Sequence, residues 1–113
     1  MKLFPIVLTV VFFLLLLGFG LQAAEYDIYA DGSGDFATIQ GAIDGVDQGD
    51  TVIVHPGTYY ENIDFGGKNI VLRSEDPDDP GTVDSTIIDG QATRSVVTFS
   101  GAEDENCLLS GLA

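Results

Sequence analysis

The sequence predicts an all-β fold, a parallel β-helix in which short strands follow one another around a solenoid. After Thr51, short segments rich in β-branched or aromatic residues alternate with Gly, Pro, Asp and Asn. Two-residue hairpin turns are largely absent, and no long helix is available for crossover connections. Strand starts at 51, 62 and 70 are followed after 35, 34 and 37 residues by starts at 86, 96 and 107. The acidic segment 76–85 is interpreted as a loop, and its removal leaves about 25 residues per circuit.

The six strands from Thr51 onward, at three strands per circuit, make about two coils. The predicted strands are 26–29, 51–54, 62–65, 70–73, 86–88, 96–99 and 107–109. A solenoid needs about three repeats for stability, so we expect a truncated domain, or an open end that missing C-terminal coils or a partner chain cover. The strand count also permits the alternative of a small antiparallel β-sandwich.

A short amphipathic helix precedes these strands and is expected to cap the open end of the stack. The turn at 31–35 has two glycines, and either Asp35 or Thr38 is suited to start the helix. So short a helix needs an apolar surface to lie on. The apolar residues at helical spacing are Phe36, Ile39, Ala42, Ile43 and Val46.

Residues 1–24 have the layout of a secretory signal peptide. Lys2 precedes an almost wholly apolar run from Leu3 to Leu17. Small residues follow this run, and the last of them are Ala23 and Ala24. The alternative is a retained membrane anchor, because the apolar run approaches spanning length. We expect removal of the signal, a domain over 25–113, and a secreted or extracytoplasmic location without stable membrane insertion.

The remaining chain is strongly acidic. All 18 acidic residues lie from Glu25 onward, where only Lys68, Arg73 and Arg94 oppose them, which gives −15. Such a surface repels nucleic acid and anionic lipid, so neither is an expected partner. The single cysteine, Cys107, has no partner for an intramolecular disulfide and is predicted to be a buried, inert thiol.

Three motifs resemble a known family. D-G-S-G-D-F-A-T-I-Q-G-A-I at 31–43, P-G-T-Y-Y-E at 56–61 and T-I-I-D-G at 86–90 look like the N-terminal region of secreted proteins of the pectin-lyase-like superfamily. The first two also look like the opening of pectin methylesterases. The resemblance implies a right-handed parallel β-helix whose catalytic Gln, Asp and Arg residues lie on later coils. Gln91 and Arg94 do not match those motifs, so no catalytic residue is carried over.

Two acidic segments have sequence patterns that partly match metal-binding sites. The resemblance implies calcium held by carboxylates in related lyases, so Ca²⁺ at the acidic loop of Glu75, Asp76, Asp78 and Asp79 is a hypothesis beside that of a solvated loop. Asp31, Ser33 and Asp35 fit the first ligand positions of an EF-hand, but Phe36 and Ala42 fall where Gly and Glu are needed. We therefore interpret 31–35 as a turn.

Two further features have a plain and a functional interpretation. His55 is the only side chain expected to titrate near neutral pH, and without an evident partner it is interpreted as a surface or corner residue rather than a base. Tyr59, Tyr60 and Phe65 are candidates for stacking against sugars or for packing. In an extended segment Tyr59 and Tyr60 point to opposite faces, so at most one enters the core.

The resulting hypothesis is the N-terminal part of a secreted protein that binds or processes polysaccharide or cell-surface glycan, with any active site on later coils. An enzyme would be a polysaccharide lyase, a glycoside hydrolase or a carbohydrate esterase. The alternatives are a non-enzymatic, adhesin-like surface protein and a pectin methylesterase. The sequence assigns no catalytic, cofactor-binding or metal-binding residue.

Overall fold

The computed structural model describes residues 23–113, so the predicted signal peptide lies almost entirely outside the described residues. Within this part of the chain, no helix is long and apolar enough to cross a membrane. The secondary structure consists of short elements, which are β1 (Glu25–Ile28), α1 (Ile39–Gly45), β2 (Thr51–Val54), β3 (Gly57–Tyr60), β4 (Ile63–Asp64), β5 (Val71–Ser74), α2 (Pro80–Ser85), β6 (Thr86–Asp89), β7 (Val97–Thr98) and β8 (Leu108–Ser110).

The largest sheet has four parallel strands in the order β1-β2-β5-β8. Its register aligns Asp27 with Ile53, Arg73 and Ser110. Side chains alternate between the two faces of a strand. Since Ile28, Val54 and Ser74 in the adjacent row are fully buried, the row that contains Asp27 lies on the outer face.

Two smaller sheets complete the strand pairing. Strand β3 pairs with β6, and β4 pairs with β7, both in parallel. Every strand pair in the described part of the chain is therefore parallel, which excludes the alternative of an antiparallel β-sandwich.

Helix α1 begins and packs as its sequence pattern predicts. The Thr38 hydroxyl accepts a hydrogen bond from the main-chain N–H of Gly41 at 2.9 Å, so Thr38 rather than Asp35 is the N-cap. At the other end, Lys68 Nζ donates to the carbonyls of Ile43 and Val46 at 2.7 and 2.6 Å. The apolar side of α1 joins one core formed by the buried residues Ile28, Ile39, Ala42, Ile43, Val46, Val52, Val54, Tyr59, Ile63, Phe65, Ile70, Leu72 and Ile88.

The segment 76–85, which was predicted to be a loop, is a loop only in its first half. Its second half is helix α2, which Pro80 opens at its first position. Asp79 is the N-cap, and its Oδ2 accepts a hydrogen bond from the N–H of Thr82 at 2.8 Å. Asp79 followed by Pro80 therefore marks the start of a helix in this segment.

The outer edge of β1 is covered by the turn at 31–35. Asp35 N donates to the carbonyl of Asp27 at 2.8 Å, and Asp35 Oδ2 accepts from the N–H of Asp27 at 2.7 Å. Gly34 makes this approach possible, since a Cβ there would lie 2.3 Å from the same carbonyl oxygen. The edge groups that a further strand would pair with at Asp27 are therefore occupied.

The prediction of an all-β, right-handed parallel β-helix of about two coils is wrong. The structure is a small mixed fold in which one four-stranded sheet, two two-stranded sheets and helix α1 share one core, and helix α2 contributes no buried residue to it. The predicted stacking of 51–54 on 86–88 does not form, because β3 pairs with β6 and β2 lies between β1 and β5. The other two predicted pairs, 62 with 96 and 70 with 107, correspond to β4–β7 and β5–β8.

Candidate functional site

The candidate site lies on the outer side of the four-stranded sheet, where three neighbouring strands end. Asp27 is on β1, His55 follows β2 and Glu75 follows β5. The His55 N–H continues the pairing by donating to the carbonyl of Ile28 at 2.9 Å. Because the strands are parallel, their carboxyl ends meet at one edge of the sheet and bring residues 28 and 20 positions from His55 to its ring.

The imidazole of His55 is held between two carboxylates. Its Nε2 lies 2.8 Å from Asp27 Oδ1, and its Nδ1 lies 2.7 Å from Glu75 Oε2. A neutral imidazole donates from one nitrogen only, whereas the protonated ring donates from both. The geometry therefore fits an imidazolium with two charge-assisted hydrogen bonds.

Burial and charge act on the ring in opposite directions. Burial is the largest single influence and lowers the pKa of His55. The hydrogen bonds from the ring to Asp27 and Glu75, together with the charges of these residues, outweigh burial and raise the pKa above its ordinary value. The His55 side chain is 16% exposed, whereas those of Asp27 and Glu75 are 49% and 42% exposed. The charged ring is thus covered, and its partners face water.

Tyr29 lies flat on this histidine. The two ring centroids are 4.2 Å apart and the planes differ by 5°. Tyr29 remains 41% exposed, and stacking on a cationic ring adds a cation–π attraction. We call the four residues Tyr29, His55, Asp27 and Glu75 the Tyr29 platform.

Tyr59 supports the platform from inside the fold. Its hydroxyl lies 2.7 Å from the carbonyl oxygen of His55 and 3.1 Å from that of Ile28, so it ties together the main chains under the two stacked rings. Burial, followed by the negative charge of Glu61, raises the pKa of Tyr59 to about 12. Tyr59 is 5% exposed and Tyr60 is 63% exposed, which confirms the predicted alternation.

The other predicted aromatic candidate, Phe65, is a core residue. It is 1% exposed and stacks on Phe99, with ring centroids 4.8 Å apart. Phe99 is half-exposed and covers Phe65 from outside. Phe65 is therefore unable to present a face to a sugar.

The acidic candidates separate in space. Glu75 bonds to His55, Asp76 accepts from the N–H of Asp78 at 3.3 Å, and Asp79 caps α2. Among residues 23–113, no group of three His, Cys, Asp or Glu side chains is placed to hold a metal ion. Calcium binding by this loop stays a prediction, and its residues do not assemble a site in the structure.

The segment resembling an EF-hand is a turn. Asp31 Oδ1 accepts a hydrogen bond from the N–H of Ser33 at 2.9 Å, and bonding to Ser33 lowers the pKa of Asp31. Asp35 is directed to the edge of β1, away from Asp31. Both findings agree with the turn interpretation.

Cys107 packs against the core as a half-buried side chain. Burial is the main influence on its thiol and raises its pKa, which lowers the thiolate fraction at neutral pH. Cys107 is therefore a packing residue rather than a nucleophile.

Two of the three basic residues in the described part of the chain are directed to main-chain oxygens. Lys68 binds carbonyls at the end of α1, and Arg73 Nη1 lies 2.9 Å from the carbonyl oxygen of Ser74 and 3.4 Å from that of Glu75. The ion pairs of residues 23–113 are the two made by His55. The acidic surface is consequently little neutralised by paired cations.

Sequence reasoning missed Asp27 and Tyr29 entirely and placed Glu75 in a different site. The available signal was the spacing of two within Asp27-x-Tyr29, Ile53-x-His55 and Arg73-x-Glu75, which places each pair on one face of its strand. That signal becomes useful only with the register that aligns the three strands.

Comparison with known proteins gives no match, since no family model, no curated protein and no solved structure matches this chain. The resemblance of three motifs to the pectin-lyase-like superfamily therefore stays a prediction.

Proposed function

We propose that this chain is part of a secreted protein that binds polysaccharide, and that sugar residues bind at the Tyr29 platform. One observation carries the proposal. The ring of Tyr29 is fixed flat on His55, two-fifths of the residue stays exposed, and the two carboxylates that bond to His55 are exposed as well. A rigid aromatic surface flanked by hydrogen-bond acceptors suits an amphipathic ligand.

The chemistry of a sugar ring fits this arrangement. Its C–H faces pack on aromatic rings, and its hydroxyl groups donate to carboxylates. Asp27 and Glu75 each use one oxygen for His55. The second oxygen of each side chain has no hydrogen-bond partner within residues 23–113, so both side chains retain an acceptor for ligand hydroxyls.

The site favours binding over bond cleavage. A general base needs a nitrogen or oxygen within reach of the proton that it abstracts. Both ring nitrogens of His55 already face carboxylates at 2.7 and 2.8 Å. We therefore propose a binding role for these residues and assign none of them to catalysis.

The N-terminal sequence and the three motifs support the same proposal by analogy. A signal-peptide layout over 1–24 directs the chain to an extracytoplasmic compartment, where glycans are available. The motif resemblance is to secreted proteins that act on polysaccharide, and it is an analogy rather than a physical argument.

Affinity electrophoresis tests the proposal. The full chain is expressed in a secreting host, and the secreted protein is run through gels that contain hydroxyethyl cellulose, polygalacturonate or chitosan. We expect at least one of these polymers to retard migration. Unchanged migration in all three gels would contradict the proposal, as would retention of the chain inside the cell.

A matched pair of tyrosine variants locates the binding surface. Tyr29→Ala removes the stacked ring, and we expect Kd to rise by about tenfold, since aromatic contacts of this kind contribute up to about 1.4 kcal/mol. Tyr60→Ala removes a more exposed tyrosine at the end of β3, outside the platform, and is expected to leave Kd unchanged. Equal losses in both variants would place the ligand elsewhere.

A further inference from the structure

We propose that His55 is a positioning residue that makes glycan binding at the Tyr29 platform depend on pH, with the protonated ring holding the platform together. The inference rests on the proposed function and adds the regulation of the same site. Its basis is geometric. One ring joins three chain segments, since it bonds to Asp27 of β1 and to Glu75 after β5 and follows β2 itself.

Loss of one proton leaves this geometry unsatisfied. The neutral ring keeps a single N–H, so one of its nitrogens then directs a lone pair at a carboxylate oxygen less than 3 Å away. Two facing acceptors repel each other, and one of the two contacts has to open. The raised pKa of His55 agrees with a folded structure that favours the protonated ring.

The carboxylates are the parts free to move. The Asp27 and Glu75 side chains are about half-exposed, whereas the His55 ring is largely covered by its neighbours. When one carboxylate turns to water, the ring loses one of the two bonds that fix its plane. Tyr29 follows, because its position depends on face-to-face contact with that ring.

Within residues 23–113, the other charged or titratable groups near the ring make their contacts elsewhere than at its nitrogens. From β3, the Tyr59 hydroxyl bonds to the His55 carbonyl. From β5, Arg73 is directed to the carbonyl oxygens of Ser74 and Glu75. From β1, Tyr29 contacts the ring face. In the described part of the chain, the two carboxylates are therefore the charged partners of the imidazole.

The titration can be followed directly, because His55 is the only histidine in the chain. Its ring resonances are recorded by NMR from about pH 5 to about pH 9, which brackets the ordinary histidine pKa of about 6.5. We expect a midpoint above the ordinary value, with the Tyr29 ring resonances moving at the same midpoint. A midpoint at or below the ordinary value would overturn the proposal, as would Tyr29 ring resonances that do not shift at the His55 midpoint.

Binding is then measured across the same pH range with hydroxyethyl cellulose and polygalacturonate as probes. We expect the affinity of the wild-type chain to fall by about tenfold as the ring loses its proton, matching the loss of the tyrosine contact. An affinity independent of pH would overturn the inference and leave the proposed function intact. No binding at any pH would instead remove the proposed function itself.

Glu75→Gln separates positioning from general structural support. The Gln amide can donate to the bare nitrogen of a neutral ring, so both ring states keep two partners. Whatever its affinity at low pH, we expect this variant to lose less than about twofold of that affinity when the pH is raised. Glu105→Gln, the same change at an exposed turn residue outside the platform, should keep the full tenfold dependence. A tenfold dependence in Glu75→Gln would refute the positioning role.

Discussion

The carboxylate of Glu61 accepts a hydrogen bond from the main-chain N–H of Ile39 at 2.9 Å, across 22 residues of sequence. Its other oxygen accepts from the N–H of Gln40 at 3.0 Å. The first N–H groups of a helix lack acceptors within the helix, and an anion there also interacts favourably with the positive end of the helix dipole. Glu61 therefore continues the cap that Thr38 begins, and it joins α1 to the segment after β3.

Glu61→Gln is expected to destabilise the fold by about 1 kcal/mol, because the amide keeps one acceptor and loses the charge. Urea-induced unfolding of the purified chain measures the change. Glu105→Gln provides the matched control at an exposed position. Identical unfolding midpoints for the two variants would show that the long-range cap contributes nothing.

Gly34→Ala is expected to cost about 1–3 kcal/mol. The new methyl group would lie 2.3 Å from the carbonyl oxygen of Asp27, and its nearest neighbours are all main-chain atoms of Asp27 and Ile28, which have little room to adjust. Gly81→Ala is the control, because a Cβ there meets only the Asp79 side chain at 3.4 Å and alanine favours helix α2. Thermal unfolding should give Gly34→Ala a lower melting temperature than Gly81→Ala. A Gly34→Ala variant with the melting temperature of the wild-type chain would contradict the close packing at this edge.

Stability should fall as pH rises through the titration of His55. The pKa of His55 is raised in the folded chain, so its contribution is complete below the ordinary value of about 6.5 and is lost as pH passes through the raised value. The free energy of unfolding at about pH 6 and about pH 9 measures this loss. His55→Gln should flatten the dependence in this interval, and an unchanged slope would assign it to other groups.

Added salt should stabilise the chain. Three basic residues oppose eighteen acidic ones from Glu25 onward, and Lys68 is already bound to carbonyls at the end of α1. Repulsion among the unpaired acids weakens when salt screens it, and the Debye length falls from about 10 Å at 0.1 M to about 3 Å at 1 M. We expect the melting temperature to rise with NaCl over that range. A falling or constant melting temperature would mean that self-repulsion is unimportant.

Local patterns predicted the individual elements well. Thr51–Val54 was predicted with its observed bounds, and the helical spacing of Ile39, Ile43 and Val46 identified three buried residues. Strand β3 was missed because Pro56 and Gly57 suggested a corner, although Gly57, with φ 149°, is the first strand residue. Helix α2 was missed because its stability comes from a cap and a first-position proline rather than from helix-favouring side chains.

The candidate site depended on a strand register that the sequence does not display. The predicted alignment of 51 with 86 would have placed His55 beside Gly90, where it would have no carboxylate partner. The observed alignment of Val54 with Ser74 places it beside Glu75. Because β3 was missed, the prediction aligned His55 with Gly90 instead of Glu75. The position of His55 at the end of a strand was predicted correctly.

The two edges of the four-stranded sheet differ in a way that bears on self-association. Asp35 blocks the β1 edge, whereas Leu108 on β8 is 51% exposed at the opposite edge. Head-to-tail growth of a fibre would require the β8 edge of one molecule to pair with the β1 edge of the next, and that second surface is occupied. The turn at 31–35 therefore leaves no free main-chain N–H or C=O at Asp27 with which the β8 edge of a second molecule could pair.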